Sequence, residues 1–141
     1  MQDCVISNNK AQQGSSIYLR AGVLTTDSYI RNTIFENNDS DQAEAERGTV
    51  YLAFDDGIME ISDNIFTNNR GIESCISIST NANTDLNHSY TKIHNNLFDG
   101  NEGIVISLLE NILISNLQLE KNVFSQNIGS ALVIRHGNVT D

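Results

Sequence analysis

The stretch N-I-F-T-N-N, Asn64 to Asn69, decides the reading of this chain because close relatives of it return at intervals. They are T-I-F-E-N-N (Thr33 to Asn38), N-L-F-D-G-N (Asn96 to Asn101) and N-V-F-S-Q-N (Asn122 to Asn127). Aligned on the aromatic residue, Phe35, Phe66, Phe98 and Phe124 fall in one position, with Ile6 in the same place in C-V-I-S-N-N. The spacings are 29, 31, 32 and 26 residues, a period in the range of repeat architectures. Three residues after each comes an Asn: Asn9, Asn38, Asn69, Asn101 and Asn127. Five residues before each comes an apolar residue: Met1, Ile30, Ile61, Ile93 and Leu119.

After each Asn the chain reaches a Gly and a short apolar run, as in G-S-S-I-Y-L from Gly14, G-T-V-Y-L from Gly48, G-I-V-I-S-L from Gly103 and G-S-A-L-V-I from Gly129. The third repeat is looser there, G-I-E-S-C-I-S-I from Gly71. These runs are short, rich in β-branched residues and alternating, so they read as strands. Ile17 and Leu19 share one face, and Val50 with Leu52, Ile76 with Ile78, Ile104 with Ile106 and Leu132 with Ile134 repeat the arrangement. The Phe and the apolar residue five before it are an odd number apart, so strict alternation puts them on opposite faces. If both point inward, the chain bends between them. An Asn-rich polar pair, such as Asn32-Thr33 or Asp63-Asn64, lies at that point, and Asn and Asp accept left-handed backbone angles. A second bend is expected between the Phe and the following Asn.

One such unit cannot bury its own apolar face, but a stack of them can, with neighbours about 4.8 Å apart. The expected fold is all-β: a right-handed parallel β-helix, or solenoid, of about five coils with about three short strands in each. The hand follows from the usual crossover rule for parallel strands. Residues 1–141 then form a single segment. Phe35, Phe66, Phe98 and Phe124 become a core column, and the five Asn become a ladder linking amide to amide. This gives a structural reason for the 19 Asn in the chain. A leucine-rich repeat is the weaker alternative, because its period is usually about 20 to 29 residues and Leu does not dominate here. An α-helical repeat lacks its period-3.6 stripe; N-I-L-I-S-N-L-Q-L-E-K-N (Asn111 to Asn122) alternates instead.

Composition narrows the partners. A net charge of −10 and a pI near 4.5 argue against nucleic acid and against anionic membrane surfaces. No apolar stretch reaches membrane-helix length, so direct membrane insertion is not expected. M-Q-D-C-V-I-S-N-N has neither the basic start nor the apolar run of a secretory leader. Met1 already falls in the apolar column and neither end carries an amphipathic cap, so flanking β-helix coils of a longer parent chain are expected, with a short gene product that packs against something else as the alternative.

The breaks in the repeat are the natural places for function. D-S-D-Q-A-E-A-E-R (Asp39 to Arg47) reads as a solvated acidic loop, with a cation site as the alternative; it lacks the ligand spacing of a calcium loop. T-N-A-N-T-D-L-N-H-S-Y (Thr80 to Tyr90) is a second insertion, and D-D-G (Asp55 to Gly57) reads as a turn. Two outward columns are expected on the second strand: Tyr18, Tyr51, Ser77, Val105 and Val133, then Arg20, Ala53, Ser79, Ser107 and Arg135. Neither stacks acids, as acid–base hydrolysis or calcium-assisted elimination on a polysaccharide would need, so no catalytic residues are assigned. Tyr18 and Tyr51, with Arg20 beside them, make a candidate sugar platform, weighed against ring stacking that merely stabilises the sheet. Val5, Ile34, Ile65, Leu97 and Val123 precede the Phe position; the preferred reading buries them at the corner, and the other makes them an exposed aliphatic stripe. His88, His94 and His136 form no ligand set, and no metal or cofactor is expected. Sequons at Asn38, Asn87 and Asn138 are what this composition gives by chance. Cys4 and Cys75 lie two repeats apart, about 10 Å by strand spacing, too far for a disulfide, so both are expected as free thiols.

The set F-E-N-N, F-T-N-N, F-D-G-N and F-S-Q-N, each followed by a Gly-led strand, resembles the F-x-x-N and G-G-A-I repeats of chlamydial polymorphic outer membrane proteins. More broadly it is similar to right-handed β-helix repeats of the pectin-lyase-like superfamily, over essentially all of the chain. The resemblance implies a secreted or surface-displayed passenger, extracellular or at the cell surface, with an adhesive or structural role and a glycan or another surface protein as partner. It supplies no catalytic residues. The alternative is a carbohydrate-binding or polysaccharide-active β-helix of the lyase or glycoside hydrolase kind.

Overall fold

The computed structural model describes residues 1–11, 16–24, 27–40, 48–79, 88–108 and 117–134. The described residues form β-strands without helix, and every strand pair is parallel. One sheet has five strands of three residues each: β1 (Val5–Ser7), β4 (Ile34–Glu36), β6 (Ile65–Thr67), β9 (Leu97–Asp99) and β12 (Val123–Ser125), in that spatial order. Its register places Ile6, Phe35, Phe66, Phe98 and Phe124 opposite one another. The second sheet holds β2 (Ile17–Val23), β3 (Ser28–Arg31), β5 (Val50–Ser62), β7 (Arg70–Ser79), β8 (His88–His94), β10 (Glu102–Leu108), β11 (Leu117–Glu120) and β13 (Leu132–Ile134). Its long strand β5 is shared: its first half pairs with β2 and β7, its second half with β3 and β8.

The bends arise where single residues adopt positive φ. One set is Asp3, Asn32, Asp63, Asn95 and Lys121, just before each short strand; the other is Asn8, Asn37, Asn68, Gly100 and Gln126, just after it. Asn and Asp fill seven of these ten places, as their tolerance of the left-handed region requires. Each pair of bends turns the short strand relative to its neighbours and aims the Phe inward. Phe35, Phe66 and Phe98 are fully buried, with successive ring centroids 4.7 and 5.0 Å apart and nearly parallel planes. Ile30, Ile61 and Ile93 form a registered column beside them, and Val50, Leu52, Phe54, Met59, Cys75, Ile76, Ile78, Val105, Ile106 and Leu108 pack with them in the core.

Four sequence expectations need correction. D-D-G is not a turn: it lies inside β5, where Asp56 pairs with Val23 and His88 on either side. Pairing on both flanks overrides the local turn preference, and Gly57 absorbs the deviation at φ 107°. Second, the apolar pair of the fourth repeat is Ile106 and Leu108, not Ile104 and Ile106. β7 carries two more residues between Arg70 and Ile76 than β10 does between Glu102 and Ile106, a slip that alternation cannot register. Ser107 therefore takes the place expected for Val105, which is buried in the core. Third, Tyr51, Ala53, Ser77 and Ser107, expected to point outward, are all buried. Fourth, the residue before each Phe is not turned inward: Val5, Ile65 and Val123 are exposed, and Ile34 and Leu97 half-buried. The left-handed residue comes two places before it, so ordinary alternation rules between the bends and only the Phe faces in. The acidic insertion beyond Ser40, the insertion up to Asn87, Gly14, Arg135, His136 and Asn138 lie outside the described residues.

Replacing Phe66 by Ala empties a site sandwiched between two rings and is expected to lower stability by about 3–5 kcal/mol in urea unfolding. Phe124, stacked on one face and 40% exposed, should lose well under half as much on the same change. Gly57→Ala should also destabilise, because an added Cβ would stand 2.6 Å from the Leu24 carbonyl oxygen at a φ that side chains avoid.

Candidate functional site

Two rows of side-chain amides run up the stack. In the first, the Nδ2 of Asn9 donates to Oδ1 of Asn38, Asn38 to Asn69, Asn69 to Asn101 and Asn101 to Asn127, at 3.0 to 3.1 Å. The backbone N–H of each lower Asn donates to the same Oδ1. The second amide hydrogen turns back to the carbonyl of the preceding repeat's corner: Asn38 to Ile6, Asn69 to Phe35, Asn101 to Phe66 and Asn127 to Phe98. An interior Asn thus uses both donors and both acceptor positions, which a buried amide needs. Asn38, Asn69 and Asn101 are completely buried.

The second row, at the other bend, was not singled out by sequence. Asn64 donates to Asn96 and Asn96 to Asn122, each at 3.0 Å, with backbone N–H groups of Thr33, Asn64 and Asn96 joining in. The spare hydrogens reach the carbonyls of Ile30, Ile61 and Ile93. The signal was present in the polar pair before each Phe, where the first residue makes the bend and the second builds the row. Cys4 and Thr33 occupy the equivalent places in the earlier repeats.

The candidate sugar platform is only partly assembled. Tyr18 and Tyr51 stack with centroids 5.1 Å apart, and Tyr18 is 45% exposed beside an exposed Arg20. Tyr51, however, is buried. It sits on β5, paired on both sides, whereas among the described residues β2 pairs with β5 alone. The pair offers one accessible ring rather than two.

Sequence reasoning also missed Glu73. The extra residues of β7 place its carboxylate in a fully buried position, where the hydroxyls of Ser77 and Ser107 donate to it at 2.5 and 2.7 Å. Ser77 in turn accepts from the Gly48 N–H at 2.6 Å. The group ties three repeats together. On the other half of β5, the Ser62 hydroxyl donates to Glu60 and holds its carboxyl below the usual value, with His94 at 3.2 Å adding to the effect. Arg31 lies over the Tyr29 ring, 4.3 Å from its centre. Among the described residues no group of three or more His, Cys, Asp and Glu side chains is placed to hold a metal ion, and no helix is long and apolar enough to cross a membrane. Both cysteines are free; Cys4 is partly exposed, and burial pushes the Cys75 thiol far up.

Asn69→Leu strands the Asn38 N–H groups and the Phe35 carbonyl, and should cost about 3 kcal/mol or more in chemical denaturation. Asn9→Leu, at an exposed position, should cost far less. Under native conditions a thiol reagent should label Cys4 within minutes and leave Cys75 untouched until the protein is unfolded.

Comparison with protein-family models, with curated proteins and with solved structures finds no match to this chain.

Proposed function

We propose that this chain is a segment of a right-handed parallel β-helix of about five coils, serving as a structural and adhesive part of a surface or secreted protein. The observation that supports it is the pairing of equivalent residues from repeat to repeat, with two amide rows and a Phe column threaded through the stack. Such a stack holds a rigid, regular face in place, and binding by loops or by a sheet face follows from that rigidity. The usual handedness of parallel crossovers supports the hand. The resemblance of the F-x-x-N repeats to surface passengers supports the location, with further coils of the parent chain beside this one.

A carbohydrate-binding or polysaccharide-active β-helix is the second reading, favoured by the exposed Tyr18 ring next to Arg20 on one outer face. The deciding experiment incubates the purified chain with polygalacturonate and other polysaccharides and follows new reducing ends and unsaturated uronate absorbance. The structural reading expects no product above a heat-denatured control. Sustained release of product by the folded chain would overturn it. Glycan binding that falls more than tenfold in Tyr18→Ala, without cleavage, would instead favour the binding form of the second reading.

A further inference from the structure

The five-stranded sheet turns a continuous aliphatic row outward. Val5, Ile34, Ile65, Leu97 and Val123 are in direct register on adjacent strands, and Val5 and Val123 are more than half exposed. Such a row on a charged, Asn-rich surface is an unpartnered apolar feature. At about 4.8 Å per strand it is roughly 19 Å long.

The surroundings of the row are acidic. On one side the outward residues two places on are Ser7, Glu36, Thr67, Asp99 and Ser125; on the other are the bend residues Asp3, Asn32, Asp63, Asn95 and Lys121. Four carboxylates thus stand against one ammonium. Within Asp99, Oδ1 is shielded from solvent and accepts no hydrogen bond among the described residues, which leaves Oδ2 to face outward contacts. With a net charge of −10, a second copy of this chain would bring like charges together across the row. A cationic partner would not.

Spacing chooses the partner's conformation. An α-helix laid along the stack offers one side chain per turn, about every 5.4 Å, whereas an extended strand offers one on the same face about every 6.8 Å. Over four steps the helix drifts from the strand spacing by about 2 Å and the extended strand by about 8 Å. We infer that this row is the docking site of an amphipathic helix about 13 residues long, with one aliphatic residue per turn and Lys or Arg on both flanks. The inference stands on the described sheet alone and holds whether or not the chain is a surface passenger.

The probe is a synthetic helical peptide with Leu once per turn and Lys on the flanks, labelled for fluorescence anisotropy at physiological salt. Two further peptides serve as comparisons: the same Leu positions with Glu flanks, and the Lys peptide with its sequence scrambled. The expected result is saturable binding of the Lys peptide only. Ile34→Ser with Ile65→Ser should weaken it at least tenfold, Asp99→Asn several-fold, and Val23→Ser, exposed on the other sheet, less than twofold. The substituted side chains are outward or half-buried, and an unchanged circular dichroism spectrum checks that the stack is intact. No saturable binding, equal binding of the scrambled or Glu peptide, or binding that survives loss of both Ile would overturn the inference. So would concentration-dependent dimerisation of the chain that the double Ile variant abolishes, since that assigns the row to a second copy.

Discussion

The constraint on which the rest depends is the hydrogen bonding of backbone turned twice per repeat and then buried. A bend removes carbonyls and N–H groups from the strand ladder, and inside a stack no water reaches them. Here every interior bend but one is served by an Asn whose amide caps the carbonyl of the repeat before it and joins the repeat after it; at the first bend of the second repeat Thr33 stands in that place. Satisfying the bend and connecting the repeats are one act. The Phe column depends on this, because each ring meets the next only if every corner turns at the same place.

That dependence orders the energetics. The apolar core supplies most of the driving force, as in any small domain. Apolar burial is non-directional, though, and would tolerate a strand slipped by two residues, which keeps the same face inward. The amide rows would not, since a slip by one residue removes both partners from an Asn at once. Glu73 carries the same logic to a third place, where Ser77 and Ser107 meet one buried carboxylate across neighbouring strands. β7 holds two residues more than β10 over that span, and the hydroxyls fix a register that alternation alone leaves loose.

Much of the parallel stack was legible in the sequence because its signals are periodic and independent. Phe, the Asn three places on and the apolar residue five places back recur together, and each has its own physical reason. What stayed hidden depended on differences between repeats. The two extra residues of β7 moved Val105 inward and Ser107 into the column next to Ser77. The D-D-G segment has turn composition, yet paired neighbours on both flanks hold it in β5. For the row Val5 to Val123, the bend was placed close enough to the Phe to bury both, while the left-handed residue in fact comes earlier. Tyr51 looked equivalent to Tyr18 by register; the difference between a central and an edge strand separates them. The function remained less legible than the fold because periodicity accounts for nearly every prominent residue through packing alone.

The amide rows have a sense. Every amide-to-amide link passes its hydrogen towards the later repeat and presents its oxygen to the earlier one, so the rows carry aligned dipoles along the stack, as peptide groups do along an α-helix. A stack wired this way tolerates lengthening or shortening by whole repeats, because donor still meets acceptor across the new junction. It does not tolerate a reversed repeat, nor the gain or loss of part of one. Diversification by duplication of complete units, with insertions confined to places away from the two amide rows, is the route this wiring leaves open.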